Sequence, residues 1–481
     1  MVYIIIIVAL LFILLSVLVI KALNHKPTND AVEKAAPITV DEARIIESLQ
    51  TMIQLKTISY QDTSKEDKQA FKAFREYIQT RYPTILSKGD YKEIEDTGFL
   101  IHLKGKHHDK SIVFMSHYDV VPENGTWQHD PFSGKIIDGK IYGRGTLDTK
   151  STLASILEAM EHLLNEGVTL THDYYLCFSG DEETRGPSAN NIVQYLKARG
   201  VKPSLVLDEG GAVVENIFPG VKKKTAVIGV AEKGYMNVRL SATASGGHAS
   251  MPPASMPLSD LSLAVSRLHK GNVFKMKTLS VTKAMLTEVS KHSESFVMRL
   301  LFANLWLFMP VIKMNAKKNG GEMLSLFKTT QAFTMAEGSN AMNVLPSTAS
   351  IGINYRLLQG DTINSTLSRI KKRIKNDTIE VQLEKGAEAT SISKTTGLYD
   401  TLTRTIKETW GDIITTPYLM MAGTDSRYHH AISDHVYRFS PMEMTKAERE
   451  TIHSTEEAIR IDQLLTCVRF YISLIKNINS N

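Results

Sequence analysis

The sequence predicts an α/β protein with three parts: an apolar N-terminal helix, a mixed sheet flanked by helices, and a smaller α+β domain inserted into the larger one. Three observations lead to this prediction. The first 20 residues carry no charge, short apolar runs alternate with helical patterns from about Ile38 onward, and the middle of the chain alternates apolar and polar residues. With 481 residues, the chain is long enough for two or three packed units.

The segment from Met1 to Ile20 predicts a single-pass membrane anchor. At about 1.5 Å per residue, such a helix extends about 30 Å, the thickness of a bilayer core. It has no polar face, and neither a basic stretch before it nor a clear cleavage site after it indicates a signal peptide. Residues 21–37 are expected to form a polar linker. Lys21 and Lys26 follow the span, which by the positive-inside rule favours a cytoplasmic body.

The larger domain is expected to comprise residues 38–232 and 389–481. Its strands are predicted at Ser111–Met115, Tyr174–Phe178 and Leu205–Leu207, which are short and apolar, as strands buried on both faces should be. A helix is expected over Leu153–Leu164, where apolar residues recur at helical spacing.

Residues 233–388 are expected to form the inserted lid domain. Tyr235–Ala242 and Ala349–Leu357 have the alternation of antiparallel strands, and helices are predicted near Leu258–Leu268 and Thr362–Lys375. Phe296–Met314 (FVMRLLFANLWLFMPVIKM) is unusually apolar, and two interpretations stay open. It forms a helix packed on the lid, or it contacts the membrane interface or an acyl chain.

Composition excludes several classes of protein. The 56 basic and 51 acidic side chains are nearly balanced and scattered, which argues against a nucleic-acid partner. Two distant cysteines, Cys177 and Cys467, exclude a disulfide scaffold, a zinc ribbon and a CxxC redox centre. Any metal must therefore be held by His, Asp and Glu.

Side chains that can bind metal follow each of the three predicted apolar strands. Functional groups gather at the carboxyl ends of strands in open α/β sheets, so these side chains are expected to meet. The set is His117, Asp119, Asp181, Glu182, Glu183, Asp208 and Glu209, joined by Asp148 after a Gly-Arg-Gly loop. Imidazole and carboxylate ligands favour zinc-like ions when thiolate is absent. Two such ions sharing a carboxylate, with a free carboxylate as proton shuttle, would suit hydrolysis.

Eight motifs, in order along the chain, resemble the dizinc carboxypeptidase and aminoacylase family. They are SHYDVVP (116–122), YGRGTLDTK (142–150), SGDEE (179–183), LDEGG (207–211), SGGHAS (245–250), NVLP (343–346), NYRLLQGDT (354–362) and GTDSRY (423–428). Within that family the sequence most resembles carboxypeptidase S and related N-acyl-amino-acid hydrolases, which share the N-terminal apolar segment and a stretch like Asn304–Phe308. The resemblance implies a zinc-exopeptidase-like fold.

The resemblance also implies roles for individual residues. It implies two divalent ions, expected to be Zn²⁺, with Asp148 bridging them; the ligands would be His117, Asp148, Glu183, Asp208 and His453. Glu182 would be the general base, and Asp119 would orient His117 by a hydrogen bond. The remaining implied roles concern the substrate: His248 and Asn343 for the oxyanion, and Arg356, Gly423 and Thr424 for a free carboxylate. A lid histidine that reaches the partner's site in this family implies a homodimer.

The sequence departs from the family pattern in three places. Asp148 is followed by Thr-Lys-Ser where the family usually has Asp-Lys-Gly, and Ala422 replaces the first of two glycines. The last motif keeps only His453 and Glu457. His429 and His430 are therefore kept as alternatives to His453.

These observations predict a metallohydrolase that cleaves an amide beside a free carboxylate. A small peptide and an N-acyl amino acid both remain open as substrates. The alternative is a catalytically inactive, membrane-tethered binding protein, which would be expected to have lost Glu182 or a ligand. The resemblance places the catalytic body outside the cytosol, against the flanking charges, and we expect the outside location.

Overall fold

The computed structural model describes residues 1–27, 32–215, 218, 220–271 and 273–480. Residues 28–31 of the predicted linker lie outside the described residues. The helices are α1 (Val2–Asn24), α2 (Glu42–Gln54), α3 (Lys68–Arg81), α4 (Pro83–Lys88), α5 (Lys150–Asn165), α6 (Ser188–Ala198), α7 (Pro257–Lys270), α8 (Ser280–Lys291), α9 (Phe296–Ala303), α10 (Leu305–Asn319), α11 (Gly321–Ser325), α12 (Ile363–Ile374), α13 (Leu398–Trp410), α14 (Lys446–Thr451) and α15 (Ile461–Asn479).

The strands form one large sheet and three smaller ones. They are β1 (Gly89–Ile94), β2 (Gly98–Leu103), β3 (His107–His117), β4 (Ile136–Ile137), β5 (Lys140–Tyr142), β6 (His172–Ser179), β7 (Pro203–Asp208), β8 (Val213–Val214), β9 (Thr225–Glu232), β10 (Gly234–Thr243), β11 (Gly247–His248), β12 (Thr330–Glu337), β13 (Val344–Leu345), β14 (Thr348–Leu357), β15 (Glu380–Ala387), β16 (Ile414–Met420), β17 (Val436–Arg438) and β18 (Ala458–Arg460). The three predicted apolar strands lie in β3, β6 and β7.

The large sheet is mixed, with the order β1-β2-β6-β3-β7-β17-β9-β16 and β8 beside β9. β3, β6, β7 and β17 run parallel, so their carboxyl ends share one edge. β6 is buried along its whole length and β7 nearly so, which explains their apolar sequences. Helices α5 and α15 pack together against the main core, and α5 begins directly after the loop that carries Asp148.

The lid domain is built on a four-stranded antiparallel sheet of order β12-β14-β10-β15. Helices α7 and α12 pack on this sheet and close a separate small core around Leu240, Leu261 and Ile370. The predicted insertion, 233–388, encloses all four strands. A two-stranded ribbon, β11 with β13, also belongs to this part of the chain.

The apolar stretch 296–314 differs from the single helix expected. It forms α9 and α10, which meet at Asn304 and are bent by 112°. Leu305, Ile312 and Ala316 pack into the core of the larger domain and not into the lid core. The predicted packing on the lid is therefore absent from the described residues.

The N-terminal helix is longer than predicted, ending at Asn24. Among the described residues, α1 is the one single helix that is long and apolar enough to cross a bilayer. The bent pair α9–α10 would be a second candidate if its two helices are counted as one span. Leu18 and Ala22 are buried, one turn apart, and the rest of α1 is exposed or partly exposed. An apolar N-terminal helix of this kind is a signal sequence or an anchor.

Candidate active site

The carboxyl ends of β3, β6 and β7 bring the predicted metal-binding side chains together. β3 ends in His117, β6 leads into Glu182 and Glu183, and β7 leads into Glu209. Asp148 reaches the same place from the loop before α5. The parallel direction of the three strands is what gathers groups that are far apart in sequence.

Asp148 lies between two histidines and faces each with a different oxygen. Its Oδ1 is 3.1 Å from His117 Nε2, and its Oδ2 is 3.0 Å from His453 Nε2. Glu209 Oε1 is 3.4 Å from His117 Nε2, and Glu183 Oε1 is 3.1 Å from His453 Nε2. The arrangement is two three-residue groups, each with one histidine and two carboxylates, that share Asp148.

Two buried carboxylates outside these groups hold the cluster in place. Asp119 Oδ1 is 3.3 Å from His117 Nδ1, and Asp119 also accepts hydrogen bonds from the backbone N–H groups of Glu182 and Glu183. Glu457 Oε1 accepts backbone N–H groups on the loop that ends in Asp148, while its Oε2 lies 2.7 Å from Arg144 Nη1. Both residues therefore fix loop positions, and the contact of Asp119 with His117 Nδ1 leaves His117 Nε2 facing the shared space.

Asp208 is the predicted ligand that the structure does not bring into the cluster. Its two oxygens accept hydrogen bonds from the backbone N–H groups of Glu209 and Ser426, each at 2.9 Å. Glu209, the next residue, supplies the carboxylate beside His117 instead. The sequence predicts a metal ligand at the end of β7, and the structure places Glu209, the neighbour of the predicted Asp208, beside His117.

The electrostatics of the cluster show an excess of buried negative charge. Burial and the nearby Asp148 carboxylate raise the pKa of Glu183, and burial raises that of Glu209 to about 8. Hydrogen bonds to Asp148 and Glu183 raise the pKa of His453 to about 10. The site thus contains two groups of oxygen and imidazole donors that share the Asp148 carboxylate, and burial there disfavours uncompensated negative charge. Such a site fits two borderline divalent cations.

Glu182 lies beside the cluster without joining either metal-binding group. Burial, followed by the charge of Asp425, raises its pKa well above the usual value. Arg427 Nη2 is 4.0 Å from Glu182 Oε1. Arg427 was not singled out from the sequence, although the GTDSRY motif contains it; the 3₁₀ turn Asp425–Ala431 carries it to the site.

Arg356 belongs to a group of guanidinium groups at the boundary between the two domains. It lies on β14, where its backbone pairs with Tyr235 of β10. Arg185 stacks on the Tyr235 ring, 3.6 Å from the centroid. Burial and the positive charges of Arg185 and Arg427 lower the pKa of Arg356. Among the described residues, Arg185 and Arg356 have no carboxylate within ion-pair distance, so this group can accept an anion.

Gly423 and Thr424 mainly hold neighbouring residues of the site in place. The Thr424 backbone N–H and hydroxyl both donate to Glu232 Oε1, at 3.1 and 2.8 Å, and Glu232 is in turn 2.6 Å from Arg438 Nε. A Cβ atom on Gly423 would come 2.8 Å from Arg427 Nη2. Gly423 thus leaves room for the Arg427 guanidinium, while the Thr424 hydroxyl is already used inside the protein.

His248 and Asn343 lie apart from the cluster of their own chain. Both belong to the ribbon region of the lid: His248 pairs with Val344, and Asn343 accepts the N–H of Ala249. His248 is exposed, and its Nδ1 is 2.7 Å from the Ser250 hydroxyl. The structure therefore groups these two predicted residues with each other and leaves them open to solvent.

His453, and neither of its two alternatives, lies at the cluster. His429 is fully buried, and neither ring nitrogen has a hydrogen-bond partner in the part of the chain that the structure describes. Burial, with the charges of His430 and Arg438, lowers the pKa of His429 to about 3. His430 Nε2 is 3.3 Å from Arg438 Nη2. His453 is the histidine that contacts Asp148.

Two adjoining His–carboxylate groups that share one aspartate are the arrangement that a pair of metal ions would require. The comparison with protein families agrees: residues 113–477 match the model of peptidase family M20/M25/M40, and the chain belongs to this family. The protein is therefore an enzyme of the metallopeptidase class, as the sequence resemblance predicted.

Relatives that match nearly the whole chain include proteins named as N-fatty-acyl-amino acid synthase/hydrolases and proteins named as carboxypeptidase S-like. The chain is 31% identical to the N-fatty-acyl-amino acid synthase/hydrolase PM20D1 of Xenopus tropicalis over 444 residues, covering 91% of this chain and 86% of the relative. It is 32% identical to the probable carboxypeptidase S-like 2 of Dictyostelium discoideum over 449 residues, with the same two coverages.

Solved structures share the fold at low sequence identity. The M20 family metallo-carboxypeptidase Sso-CP2 of Sulfolobus solfataricus has a TM-score of 0.67 at 18% identity, covering 91% of this chain and 99% of that one. Human carnosine dipeptidase 1 has a TM-score of 0.61 at 13% identity, covering 92% and 97%. The Bacillus subtilis YXEP protein, a dinuclear metal-binding M20 peptidase, has a TM-score of 0.56 at 12% identity, covering 91% and 98%.

Proposed function

We propose that the protein hydrolyses an amide bond next to a free carboxylate, in a small peptide or an N-acyl amino acid. The observation that carries this proposal is Asp148, whose two oxygens face His117 and His453 from opposite groups. The names of the relatives supply both substrate classes. A carboxypeptidase releases the C-terminal residue of a peptide, and an N-acyl-amino-acid hydrolase cleaves the same kind of bond between an acyl group and an amino acid.

The two groups around Asp148 would hold the metal ions, which we expect to be Zn²⁺. His117, Asp148 and Glu209 would hold one ion, and Asp148, Glu183 and His453 the other. When bound, the ions supply Lewis acidity that polarises the substrate carbonyl and lowers the pKa of water. Asp119 would orient His117, because His117 Nδ1 is 3.0 Å from the Asp119 backbone carbonyl and 3.3 Å from its Oδ1, which leaves Nε2 for the metal.

Glu182 would act as general base and then as general acid. It is buried beside the metal-binding groups but belongs to neither, so its carboxylate is free to accept a proton from the attacking water. The same proton is returned to the leaving nitrogen when the C–N bond breaks. The products are then a carboxylic acid and a free amine, and Glu182 is restored.

Arg356 and Arg427 would bind the free carboxylate of the substrate. Arg427 lies close to Glu182, and Arg356 lacks an anionic partner among the described residues, so a substrate carboxylate would neutralise charge that the protein leaves unpaired. A planar guanidinium also binds a carboxylate through two parallel hydrogen bonds. The reacting amide would then lie between the arginines and the metal-binding groups.

The experiment is a release assay with the zinc-loaded full chain. N-acyl amino acids of different acyl length and a set of dipeptides are offered, and free amino acid is measured for the wild type and for Glu182→Gln, which keeps the size of the side chain. We expect release by the wild type and a loss of about 10²-fold or more in the variant. The preferred substrates decide between the two classes.

Two results would favour the alternative of an inactive binding protein. One is no release from a folded chain that contains zinc. The other is release that Glu182→Gln leaves unchanged, which would also remove the assigned general base. The full chain is assayed in detergent, so neither result can be attributed to removal of the N-terminal helix.

A further inference from the structure

The outer face of the α9–α10 hairpin is apolar where a soluble protein would be polar. The exposed positions of α10 recur at the spacing of one helix face and lie opposite the buried residues Leu305, Ile312 and Ala316. We call this exposed set the hairpin stripe: Trp306, Leu307, Pro310, Val311 and Met314. Trp306 is 61% exposed and Met314 68%. A stripe of this kind on a bent helix pair needs a covering partner.

The N-terminal helix shows which partner is at hand. The Asn304 side-chain amide, at the bend of the hairpin, donates to the Leu18 carbonyl at 3.1 Å. Lys21 Nζ is 6.0 Å from the centre of the Trp306 ring. Leu18 and Ala22 of α1 are buried at this contact, while the earlier residues of α1 extend away from the body. The hairpin thus lies at the C-terminal end of the apolar helix.

The length of α1 sets the depth of the hairpin. Its 23 residues extend about 35 Å, slightly more than a bilayer core of about 30 Å. If the helix spans a bilayer from its N-terminus, Leu18 and Lys21 lie near the far boundary between hydrocarbon and headgroups. Trp306, held beside them, would then lie at that boundary, where tryptophan is enriched in membrane proteins.

Charge at the end of the stripe fits the same position. Lys317 and Lys318 continue the exposed face of α10 after Met314, and both are exposed. An apolar face followed by basic residues is typical of helices that lie in the interface, with the apolar side in the acyl region and the lysines among headgroups. An apolar cavity of about 750 Å³ lies between the hairpin and α8; it is lined by Leu301 and Phe302 of α9 and also by Val311 and Met314 of the stripe.

We propose that the hairpin stripe is a membrane-docking surface that rests in the bilayer interface beside the α1 anchor. The occupant of the stripe is the lipid bilayer itself. This inference depends on α1 being retained as a membrane helix, and it is independent of the proposed reaction. Docking would fix the catalytic body close to the lipid surface at two places, the anchor and the hairpin.

The test uses the full chain in phospholipid nanodiscs and one introduced cysteine. Both native cysteines, Cys177 and Cys467, are buried, so a nitroxide label is directed to Trp306→Cys, which lies on the stripe but is not part of the cavity lining. Leu263→Cys on α7 of the lid is the matched control, because Leu263 is an exposed leucine (56%) on a helix that packs on the lid strands β10 and β14. Accessibility of the label is measured to oxygen, which enters lipid, and to a water-soluble nickel chelate.

We expect the label at 306 to be reached by oxygen and protected from nickel, while the label at 263 is reached by nickel. Equal access of nickel to both labels would overturn the proposal. Protection of position 306 from both reagents would also overturn it, because it would show that protein, such as a second copy of the chain, covers the stripe. An independent check measures how much quenchers attached to the lipids reduce the tryptophan fluorescence of the wild type and of Trp306→Phe. The quenched part of the fluorescence should disappear in the variant.

Discussion

Asp208 and Glu209 are neighbours in sequence, yet their carboxylates have different surroundings. Asp208 ends β7 and accepts two backbone N–H groups, so its charge serves to hold the turn that contains Ser426. Glu209 is the first residue after the strand, and its carboxylate faces His117. Since successive side chains at a strand end point in different directions, only one of two adjacent acids can face the cluster.

Metal content should therefore depend on Glu209 more than on Asp208. Glu209→Ala removes a carboxylate from one metal-binding group, and we expect it to weaken binding of that ion and to lower kcat by about 10²-fold. Asp208→Asn should retain both ions because Asp208 contacts neither histidine. Zinc per chain, measured by mass spectrometry after dialysis, gives the result.

The two variants together separate a ligand from a structural acid. If Asp208→Asn loses an ion while Glu209→Ala keeps both, the ligand assignment has to return to Asp208. A thermal unfolding curve for each variant controls for loss of structure, since Asp208→Asn also weakens a buried backbone hydrogen bond and should lower the unfolding midpoint.

Arg356 is expected to act on substrates through their free carboxylate. Arg356→Ala should lower kcat/KM for an N-acyl amino acid by about 10- to 100-fold, the value of a charge-assisted hydrogen bond. The same variant should change little for the matching amino-acid amide, which lacks the carboxylate. Steady-state kinetics with this pair of substrates measures the difference.

A loss of equal size on the acid and on the amide would contradict that role, because it would indicate damage to the site in general. Arg239→Ala is a suitable control: Arg239 lies on β10 in the same sheet, but its ion pairs are with Glu337 and Glu384 on the lid surface. It should leave kcat/KM unchanged for both substrates.

At the scale of elements, one buried acid, Asp361, connects α12 of the lid with the segments before α8 and before β12. Its carboxylate contacts Lys277 Nζ at 2.7 Å, Arg369 Nη1 at 3.0 Å and the Thr329 hydroxyl at 2.6 Å. Burial disfavours its charge, but the hydrogen bonds from Lys277, Thr329 and Arg369 outweigh burial and lower the pKa of Asp361. The folded protein therefore prefers the ionised form more strongly than the unfolded chain does.

Asp361→Asn should destabilise the protein at neutral pH by about 1.5–3 kcal/mol, because the variant leaves buried donors without a charged acceptor. The stabilisation from Asp361 is fully present above the pKa of the unfolded chain, about 4, and is lost as pH falls through the lower value of the folded protein. The difference in unfolding midpoint between variant and wild type should thus shrink below about pH 4.

This difference in unfolding midpoint would be measured by thermal unfolding followed by circular dichroism, from pH 7 down to the lowest pH at which the protein is still folded. Asp377→Asn, an exposed acid after α12, is the control and should unfold like the wild type throughout. A difference that is constant with pH would show that size or packing at position 361 matters, and not its charge.

The elements that the sequence predicts well are those with a strong local pattern. β3, β6 and β7 are buried apolar runs, and the lid strands β10 and β14 alternate as one-sided strands do, so periodicity alone finds them. The stretch 296–314 is different: apolar character predicts burial but gives no sign of the bend at Asn304 or of the core it joins. Those depend on contacts with α1 and α8, which are distant in sequence.

The residues of the candidate site divide in the same way, into those that a local sequence pattern predicts and those that it does not. Strand ends predict that His117 and Glu183 meet, because parallel strands carry distant residues to one edge. Asp148 was predicted from its place in the loop after Gly-Arg-Gly. Arg185 and Arg427 were missed, although Arg427 lies inside GTDSRY and Arg185 lies two residues after SGDEE. Their position depends on local turns, a left-handed backbone at Arg185 with φ of 59° and a 3₁₀ turn at Arg427, that no residue pattern specified.

For the whole molecule, the exposed ribbon of the lid leaves the site of a single chain without the groups expected to stabilise the oxyanion. His248 and Asn343 are near each other and open to solvent, and His248 contacts Ser250 but none of the metal-binding side chains among the described residues. The family resemblance implies that this histidine enters the site of a partner subunit. We therefore propose a homodimer in which each active site is completed by the other chain.

Mixing two inactive variants tests this dimer directly. His248→Ala lacks the group offered to the partner, and Glu182→Gln lacks the base of its own site, so each homodimer should be inactive. A mixed dimer has one complete site, built from the Glu182 of the first variant and the His248 of the second. Because random pairing gives half mixed dimers with one working site of two, coexpression should restore about a quarter of wild-type activity. If His248 acted within its own chain, every site would lack one group and the mixture would stay inactive; the single variants and a size measurement of the mixture in detergent control for residual activity and for failure to pair.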